Sequence, residues 1–447
     1  MKTFEGFLTE AILKQPRRPW STEPPVATPS AKKPAPSAKK LAISCHDHRG
    51  RICPVCWAGQ FLYAQELEAR EVALAQFWQT LRAGCQLEKL RPSPLGRNYR
   101  TISKRRWTKS SLCLLERNLH GRLEPWKIPI CDVEPVEHAA IFGHLQEKLL
   151  RSPVREGLRF AVIRGNYQRF CLLLNIENLD HGALNRLTKS LLETSPQPHA
   201  IFAFQGAPDS DYYLEQSRSH DRLHRLHGPT WQKVDLADRH FRYHPLAFCQ
   251  VNQALTSQLV DEVAQCLGET ELPLLDLYCG FGLFSFGLRR KGPSLGVEAN
   301  PWSIRSAREN AKYLSEDRKA EFLAREITAD SIPAILKHWG QKEFCVVLDP
   351  PRGGPAPGVI QNLAAYAPKR VVHLVCDIER TPIELQQWKD VGYRLERALP
   401  FDMFPGTNEV ELALVLTAEK SQTQTRSAQK RQVKGISLRV GEKSRTN

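Results

Sequence analysis

The sequence has little of what a membrane or secreted protein requires. In its 447 residues no window approaches the roughly 18 uninterrupted apolar residues of a membrane-spanning helix. The stretch MKTFEGFLTEAILKQPRRPW has no apolar segment followed by a small-residue cleavage site, so we expect no signal peptide. These absences predict a protein that stays in the cytoplasm, where thiols are kept reduced.

Acidic residues are scarce relative to basic ones. The chain has 48 Asp and Glu against 63 Lys and Arg, a net charge of +15. Such an excess attracts a polyanion, most simply a nucleic acid, although it also fits a basic protein whose charge serves only solubility. The cluster NYRTISKRRWTK (98–109) combines basic residues with two aromatic ones. This placement favours a nucleic acid, whose phosphates the cluster and a basic N-terminal arm could hold.

Composition divides the chain into five parts. Residues 1–42 form a basic arm that is dense in Pro, Ser, Ala and Lys at 15–41, and 419–447 form a basic tail; we predict that both are disordered. Between them we expect a cysteine-rich knot at 43–60 and a central α+β domain at 61–240. From 241 to 418, near-continuous apolar strands alternate with helices, which predicts an α/β fold with a mostly parallel sheet covered on both faces.

A glycine-containing turn in the C-terminal domain predicts a nucleotide-type ligand site. The segment DLYCGFG (276–282) closes an apolar strand and opens a helix, and its glycines allow a tight turn close to a ligand. The next strand ends at Glu298, where a carboxylate could accept hydrogen bonds from ribose hydroxyls. NAD-binding proteins share this plan, but Ser285 occupies the position of their third glycine.

A second strand end carries Asp349-Pro-Pro-Arg352. At the carboxyl edge of a sheet, this segment would place a carboxylate above the ligand crevice. The alternative is structural, with Asp349 capping the turn and Arg352 exposed to solvent.

Six segments, in order, resemble motifs of the S-adenosylmethionine-dependent RNA uracil-5 methyltransferases of tRNA and 23S ribosomal RNA. They are FCQVN (248–252), DLYCGFG (276–282), GVEANPWSIRSARENAKYL (296–314), DPPRGG (349–354), VCDI (375–378) and DMFPGTNEVELALVL (402–416). The resemblance runs from about Cys45 to Leu416. It implies a class I, Rossmann-like methyltransferase domain.

The resemblance also implies roles for individual residues. Cys376 would be the nucleophile and Glu411 the base. S-adenosylmethionine would be held by Gln250, Tyr278, Glu298, Asp349 and, near the adenine, Glu326. The sequence departs from the family at Val375 and Asp377 beside the cysteine, at Leu283 in the cofactor loop, and at Gly406 and Glu409, which replace two histidines.

The chemistry explains why this family needs a cysteine and a carboxylate. Uracil C5 is a poor nucleophile until a thiolate adds to C6, and a base must later remove the C5 proton. A free cysteine has a pKa of about 8.5, so the site must lower it or deprotonate the thiol during attack. Arg352 is our candidate for a cation that does so, and an inward-pointing Asp377 would have the opposite effect. The target base must leave its stack to reach such a site.

Three cysteines in CHDHRGRICPVC predict a metal site. A C-x-x-C in the cytoplasm indicates metal or redox chemistry, and Cys45, Cys53 and Cys56 need a fourth ligand for an all-cysteine cluster. The resemblance implies Cys131 as that ligand, and a 4Fe–4S cluster of the kind carried by 23S rRNA members. Zinc is the alternative, with His46 or His48 among its ligands.

We therefore expect a monomeric, cytoplasmic methyltransferase that acts on RNA and has no contact with membranes. The cysteine trio and the absence of an N-terminal β-barrel domain favour 23S rRNA, with tRNA as the alternative. Two other classes stay open. One is an inactive, RNA-binding homologue, and the other is a methyltransferase of DNA, protein or a small molecule, although a Cys–Glu pair fits a pyrimidine C5 better than an amine.

Overall fold

The computed structural model describes residues 2–15, 56–58, 60–117, 123–206, 214, 223–268, 271–312 and 320–419. Helices within these ranges are α1 (Phe4–Leu13), α2 (Tyr63–Leu81), α3 (Val136–Leu149), α4 (His181–Leu192), α5 (Gln253–Leu267), α6 (Leu283–Gly287), α7 (Pro301–Ala311), α8 (Ser331–Trp339), α9 (Val359–Ala364) and α10 (Thr381–Asp390). None of the described helices is both long and apolar enough to cross a membrane.

The strands of the same ranges form two seven-stranded sheets and a hairpin. Those of the central domain are β1 (Ser103–Thr108), β2 (Ser111–Arg117), β3 (Leu123–Trp126), β4 (Leu158–Gly165), β5 (Phe170–Ile176), β6 (Ala200–Gln205) and β7 (His224–His227). The hairpin consists of β8 (Gln232–Leu236) and β9 (Arg239–Tyr243). The C-terminal sheet contains β10 (Leu274–Leu277), β11 (Ser294–Glu298), β12 (Ala320–Ala324), β13 (Cys345–Leu348), β14 (Arg370–Val375), β15 (Tyr393–Phe401) and β16 (Glu411–Ala418).

The N-terminal helix α1 differs from the sequence prediction. Phe4, Leu8 and Ile12 recur at helical spacing and are buried against the C-terminal domain and α2. The disordered arm predicted for residues 1–42 is therefore wrong for Phe4–Leu13, because this single apolar stripe is enough to anchor a short helix. Residues 16–42 lie outside the described residues.

Helix α2 packs on the C-terminal sheet, not on the central domain to which residues 61–240 are assigned from the sequence. Its Phe77 belongs to the same buried cluster as Leu275 of β10. The chain after α2 then runs beside β15, where Leu87 pairs with Ala398. Thus the N-terminal helices are part of the domain that carries the candidate site.

The central domain has the strand order β3-β2-β1-β4-β5-β6-β7. Its pairings are antiparallel except that between β5 and β6, which is parallel. Every residue of β4 and β5 is buried, as expected for apolar strands in the middle of a sheet. Helices α3 and α4 cover one face through a shared apolar cluster.

The C-terminal sheet has the order β12-β11-β10-β13-β14-β16-β15. Its first five strands are parallel, and β16 and β15 are antiparallel additions, which confirms the predicted α/β fold. The β8–β9 hairpin contributes Val234 and Phe241 to the core beneath this sheet, together with Leu259 of α5. The C-terminal domain therefore begins before residue 241.

Candidate active site

The candidate site lies at the carboxyl edge of the C-terminal sheet. Tyr278 follows β10, Glu298 ends β11, Asp349 follows β13 and Cys376 follows β14. These four strands are parallel neighbours, so their ends meet at one edge, where α/β sheets bind ligands. The structure thus brings together four of the candidate site residues predicted from the sequence.

The turn after β10 has the backbone conformation that its glycines allow. Gly280 and Gly282 have φ angles of +55° and +89°, and Tyr278 between strand and turn has +64°. A Cβ atom on Gly282 would lie 2.5 Å from the ring of Phe286, whereas one on Gly280 would meet nothing within 4 Å. The backbone at Gly280 therefore borders open space in which a ligand can approach it closely.

Two carboxylates hold this turn. Glu298 accepts hydrogen bonds from the backbone N–H groups of Gly280 at 3.2 Å and Asn300 at 2.7 Å. Asp276 is fully buried, and its Oδ2 accepts from the N–H of Ser285 at 2.9 Å and from its hydroxyl at 2.6 Å. The Oδ1 atom of Asp276 has no hydrogen-bond partner among the described residues.

The nucleophile candidate Cys376 is partly exposed at the end of β14. Its Sγ atom lies 3.7 Å from Oδ1 of Asp349 and 3.7 Å from the carbonyl oxygen of Pro350. Burial, and then the negative charges of Glu411 and Asp349, raise the pKa of the thiol well above its ordinary value. The thiol is therefore protonated in the free protein.

The base candidate Glu411 is placed beside Cys376 by the antiparallel register. Val375 pairs with Leu412, so the next pair along the ladder is Cys376 and Glu411. Burial, followed by the charges of Asp349 and Glu409, raises the pKa of Glu411 to about 8, and the contact with Cys376 partly offsets this. A carboxyl group with such a pKa can exchange a proton near neutral pH.

Arg352 does not have the role that the sequence suggested. Its guanidinium is mostly exposed and forms an ion pair with Glu409, with Nη2 and Oε1 2.5 Å apart. Asp377 also differs from the expectation, because its Oδ1 accepts from the N–H of Glu379 at 3.2 Å and begins a 3-10 turn. The acidic neighbours that raise the thiol pKa are Glu411, Asp349 and, more weakly, Glu384.

The remaining cofactor candidates lie on flanking segments. Gln250 is buried in the segment before α5, where Asn252 donates to the carbonyl of Met403 at 3.1 Å. Glu326 is exposed after β12, next to Arg325, whose N–H donates to the carbonyl of Glu298 at 2.9 Å. Their positions beside the site are compatible with cofactor contacts, which stay predictions.

Sequence reasoning missed the network that holds the loop before Glu411. Residues 402–410 connect β15 and β16, and the fully buried Arg70 of α2 donates to three of their carbonyl groups: Glu409 at 2.9 Å, Phe404 at 3.1 Å and Thr407 at 2.5 Å. Glu66, one helical turn earlier, accepts from the N–H of Gly406 at 2.9 Å. The sequence signal that could have indicated this network is the pair of charged residues Glu66 and Arg70 at buried positions of the amphipathic helix α2.

The same loop explains one departure from the family motif. Gly406 has a φ of +83°, and a Cβ atom there would lie 2.7 Å from the Cβ of Ala58. The N–H of Trp57 donates to the Gly406 carbonyl at 2.9 Å. The segment that follows the cysteine trio therefore docks on the loop that leads to Glu411, and a side chain at 406 would obstruct it.

The predicted metal site is only partly within the described residues. Cys45, Cys53, His46 and His48 lie outside them. Cys56 and Cys131 both contact one small apolar cluster that includes Ala58 and Tyr99. Across the ranges that the structure covers, no three or more His, Cys, Asp or Glu side chains are grouped to hold a metal ion. The cluster and the zinc alternative both stay predictions.

The basic cluster at 98–109 is only partly available to a polyanion. Arg105 is buried and forms two hydrogen bonds with Glu134, at 2.9 and 2.6 Å. The guanidinium of Arg106 lies over the ring of Phe160. Lys104 and Lys109 are exposed. The prediction that this cluster holds phosphates is therefore limited to its exposed lysines.

Known proteins resemble this chain in sequence and in fold. Residues 227–419 match the sequence model of the family described as tRNA (Uracil-5-)-methyltransferase. A Thermotoga maritima protein described as an uncharacterized RNA methyltransferase is 27% identical over 81% of this chain and 82% of its own length. The 23S rRNA (uracil(1939)-C(5))-methyltransferase RlmD of Acinetobacter baumannii strain SDF is 28% identical over 84% of this chain and 80% of its own.

A solved structure with a similar fold is that of Pyrococcus abyssi tRNA (uracil-54, C5)-methyltransferase in complex with S-adenosyl-L-homocysteine. It has a TM-score of 0.60 at 22% identity and covers 77% of this chain and 82% of that one. The fold of this chain is thus that of S-adenosylmethionine-dependent methyltransferases, and the matching family model and the Thermotoga relative are described as RNA methyltransferases. Over residues 227–419 the chain is similar to the RNA uracil-5 methyltransferases.

The charges of the site fit S-adenosylmethionine, which carries a sulfonium and an ammonium group. Burial, followed by the charges of Asp276 and Glu298, raises the pKa of Asp349 to about 7. Burial also raises the pKa of Asp276 to about 7, despite its bonds from Ser285. A cationic ligand relieves the repulsion between these carboxylates.

Proposed function

We propose that this protein methylates C5 of a uridine in RNA through a covalent bond between Cys376 and C6 of the base. The supporting observation is the adjacency of Cys376 and Glu411 across one strand pair, beside Asp349, at the edge of the cofactor cleft. The family's uracil-5 RNA chemistry requires one thiol and one base on the same face of the pyrimidine.

The reaction proceeds through a covalent adduct of the protein with the base. The Cys376 thiol loses its proton, and the sulfur adds to C6, which breaks the 5,6 double bond and leaves an enolate that is nucleophilic at C5. C5 takes up the methyl group of S-adenosylmethionine as the S–CH3 bond breaks, and neutral S-adenosylhomocysteine is left. Glu411 then removes the C5 proton, the C6–S bond breaks with return of its electron pair to sulfur, and the double bond re-forms.

The raised pKa values indicate which groups of the site carry a proton before the reaction. In the free protein the thiol is protonated and Glu411, with a pKa of about 8, is largely protonated at neutral pH. Asp349 has its Oδ1 atom 3.7 Å from the sulfur and is placed to accept the thiol proton. The positive charge of the bound cofactor favours the ionised form of all three groups, so the site becomes reactive when the cofactor is present.

For the substrate, we infer 23S rRNA. The support is the similarity to the Acinetobacter enzyme over 84% of this chain and the predicted 4Fe–4S knot built from Cys45, Cys53, Cys56 and Cys131. Transfer RNA is the alternative, because the family model and the Pyrococcus structure concern tRNA enzymes. In either RNA the target uridine must turn out of its stack to reach Cys376.

Mapping 5-methyluridine in total RNA from cells with and without this protein tests the proposal. We expect one or a few 23S rRNA positions to lose the modification when the protein is absent, and to regain it with the wild-type chain but not with Cys376→Ala. Loss of 5-methyluridine at a tRNA position would instead identify tRNA as the substrate and would still support the proposed reaction. An unchanged 5-methyluridine map in both RNAs would contradict the proposal.

A further inference from the structure

A second concave surface lies on the C-terminal domain, away from Cys376. It is a cavity of about 410 Å³ between α7 and the chain preceding β8. Its charged lining residues are Arg305, Arg308, Lys312 and Glu309, and Trp231 forms an aromatic wall. With three cations to one carboxylate, this α7 cavity is positively charged.

The three cations lie on one face of the helix and are held in place. Arg305, Arg308 and Lys312 are exposed and follow each other at spacings of three and four residues, which aligns them along the helix. The Arg305 guanidinium lies 5.6 Å from the centroid of the Trp231 ring. Nη2 of Arg308 donates to the carbonyl of Phe322 at 3.0 Å, which uses one of its five N–H donors.

The carboxylate does not neutralise this face. Glu309 accepts from Lys312 at 2.5 Å and lies 3.7 Å from Arg242, so it is shared between two cations. The arrangement combines an aromatic ring with fixed positive charges, as grooves for single-stranded nucleic acid do. A charged face that served only solubility would need neither the cavity nor the ordered Trp–Arg pair.

The position of the α7 cavity suits RNA that flanks the reacting uridine. Helix α7 begins at Pro301, just after Glu298 at the end of β11. In the sheet, β10 and β13 lie between β11 and β14, so three strand spacings of about 4.8 Å separate Glu298 from the strand of Cys376, about 14 Å in all. The cavity begins at Pro301 and extends along α7 to Lys312, so it lies at least about this far from the strand of Cys376. That separation is too large for the reacting base and suits a neighbouring nucleotide of the same RNA.

We propose that the α7 cavity binds an unpaired nucleotide of the substrate RNA, distinct from the target uridine. The base lies against Trp231, and Arg305 and Arg308 contact phosphates. The inference rests on the proposed function for the identity of its ligand, because RNA is the polyanion that this enzyme must hold. Proteins commonly recognise single-stranded RNA by stacking splayed bases on aromatic rings and guanidinium planes.

Binding of a fluorescein-labelled oligouridylate, followed by anisotropy over a series of KCl concentrations, tests the α7 cavity. Arg305→Ala/Arg308→Ala removes two cations, and the matched control Lys337→Ala/Lys342→Ala removes two exposed cations elsewhere. We expect the slope of log affinity against log salt to fall by about 1.4 in the α7 variant, from two phosphate contacts on a single strand, and to stay unchanged in the control.

Trp231→Ala provides the second variant. It should weaken binding roughly 5- to 150-fold through lost stacking while leaving the salt slope unchanged. The affinity of each variant for S-adenosylmethionine reports that the domain is folded. Equal affinity and slope in the α7 variant and its control would overturn the inference. Failure of the wild-type protein to methylate RNA would instead overturn the proposed function. The binding experiment does not measure methylation, so the two failures are distinguishable.

Discussion

Cys376 and Asp349 end two neighbouring parallel strands, and 3.7 Å separates the sulfur of one from Oδ1 of the other. The antiparallel pairing of β14 with β16 brings Glu411 to the same point. One sheet edge therefore presents a thiol between two carboxyl groups whose pKa values are raised to about 7 and about 8. A cluster of buried acids beside a thiol stabilises no fold by itself, because each ionised group destabilises its neighbours, and such clusters are typical of catalytic sites.

Replacing the nucleophile should separate binding from chemistry. Cys376→Ala should abolish methyl transfer to RNA, because no other group can activate C5, while calorimetry should show unchanged affinity for S-adenosylmethionine. Cys85→Ala, which removes another partly exposed thiol remote from the sheet edge, is the matched control and should stay active. Wild-type rates in the Cys376 variant, measured with radiolabelled methyl groups, would rule out covalent catalysis.

Binding of S-adenosylmethionine should tighten as the pH rises through 7. The pKa values of Asp276 and Asp349 are both about 7 in the free protein, so the two groups are largely neutral below that pH and anionic above it. An anionic site attracts the sulfonium, and calorimetry from pH 6 to pH 8 should show about tenfold higher affinity, roughly 1.4 kcal/mol. S-adenosylhomocysteine lacks the sulfonium charge, so its affinity should rise less over the same pH range. An equal rise in affinity for both ligands would contradict the electrostatic role of Asp276 and Asp349.

The sequence predicted the sheet and its edge because both have local signals. Apolar strands that end in Asp349-Pro-Pro and in Cys376 can be read from the chain directly. The contacts of Arg70 could not be predicted, because its partners in the 402–410 loop lie more than 330 residues away. For the same reason the partner of Arg352, Glu409, and the burial of Arg105 against Glu134 are visible only in three dimensions.

Helix α1, in contrast, does have a local signal in the sequence. Its apolar stripe of Phe4, Leu8 and Ile12 is a local signal for a helix, whereas the Pro- and Lys-rich stretch that follows predicts disorder. The N–H of Glu5 donates to Glu379 at 2.8 Å, and Glu5 Oε1 accepts from Asn408 at 2.5 Å. The helix therefore contacts both the segment after Cys376 and the loop before Glu411.

The docking of the N-terminal segment on the 402–410 loop should matter for turnover. Gly406→Ala places a Cβ atom against Ala58 and requires a strained positive φ, so we expect a loss of about 1–3 kcal/mol in the free energy of unfolding. Displacement of Glu411 should lower kcat more than it raises KM for the cofactor. Gly143→Ala, in α3 with nothing within 4 Å of the added atom, is the control; it should leave kcat unchanged and raise the free energy of unfolding by about 0.5–1 kcal/mol. A Gly406→Ala enzyme with wild-type kcat and stability would refute this role.

Protein purified without oxygen should be brown, with broad absorbance at the boundary of the visible and ultraviolet. Cys56→Ser and Cys131→Ser should each remove the colour and the bound iron, because a 4Fe–4S cluster needs four thiolates. Cys85→Ser should keep both. A colourless preparation that contains zinc in place of iron would contradict the iron–sulfur prediction and favour the zinc alternative.

The most direct test of the central claim is denaturing gel electrophoresis of Glu411→Gln mixed with substrate RNA and S-adenosylmethionine. Without the base, the C5 proton stays in place after methyl transfer and the C6–S bond cannot break, so we predict a protein–RNA adduct that survives denaturation. The adduct should disappear when Cys376→Ala is added to the same protein. Methylated RNA released at the wild-type rate with no adduct would contradict the assignment of the sulfur and the base.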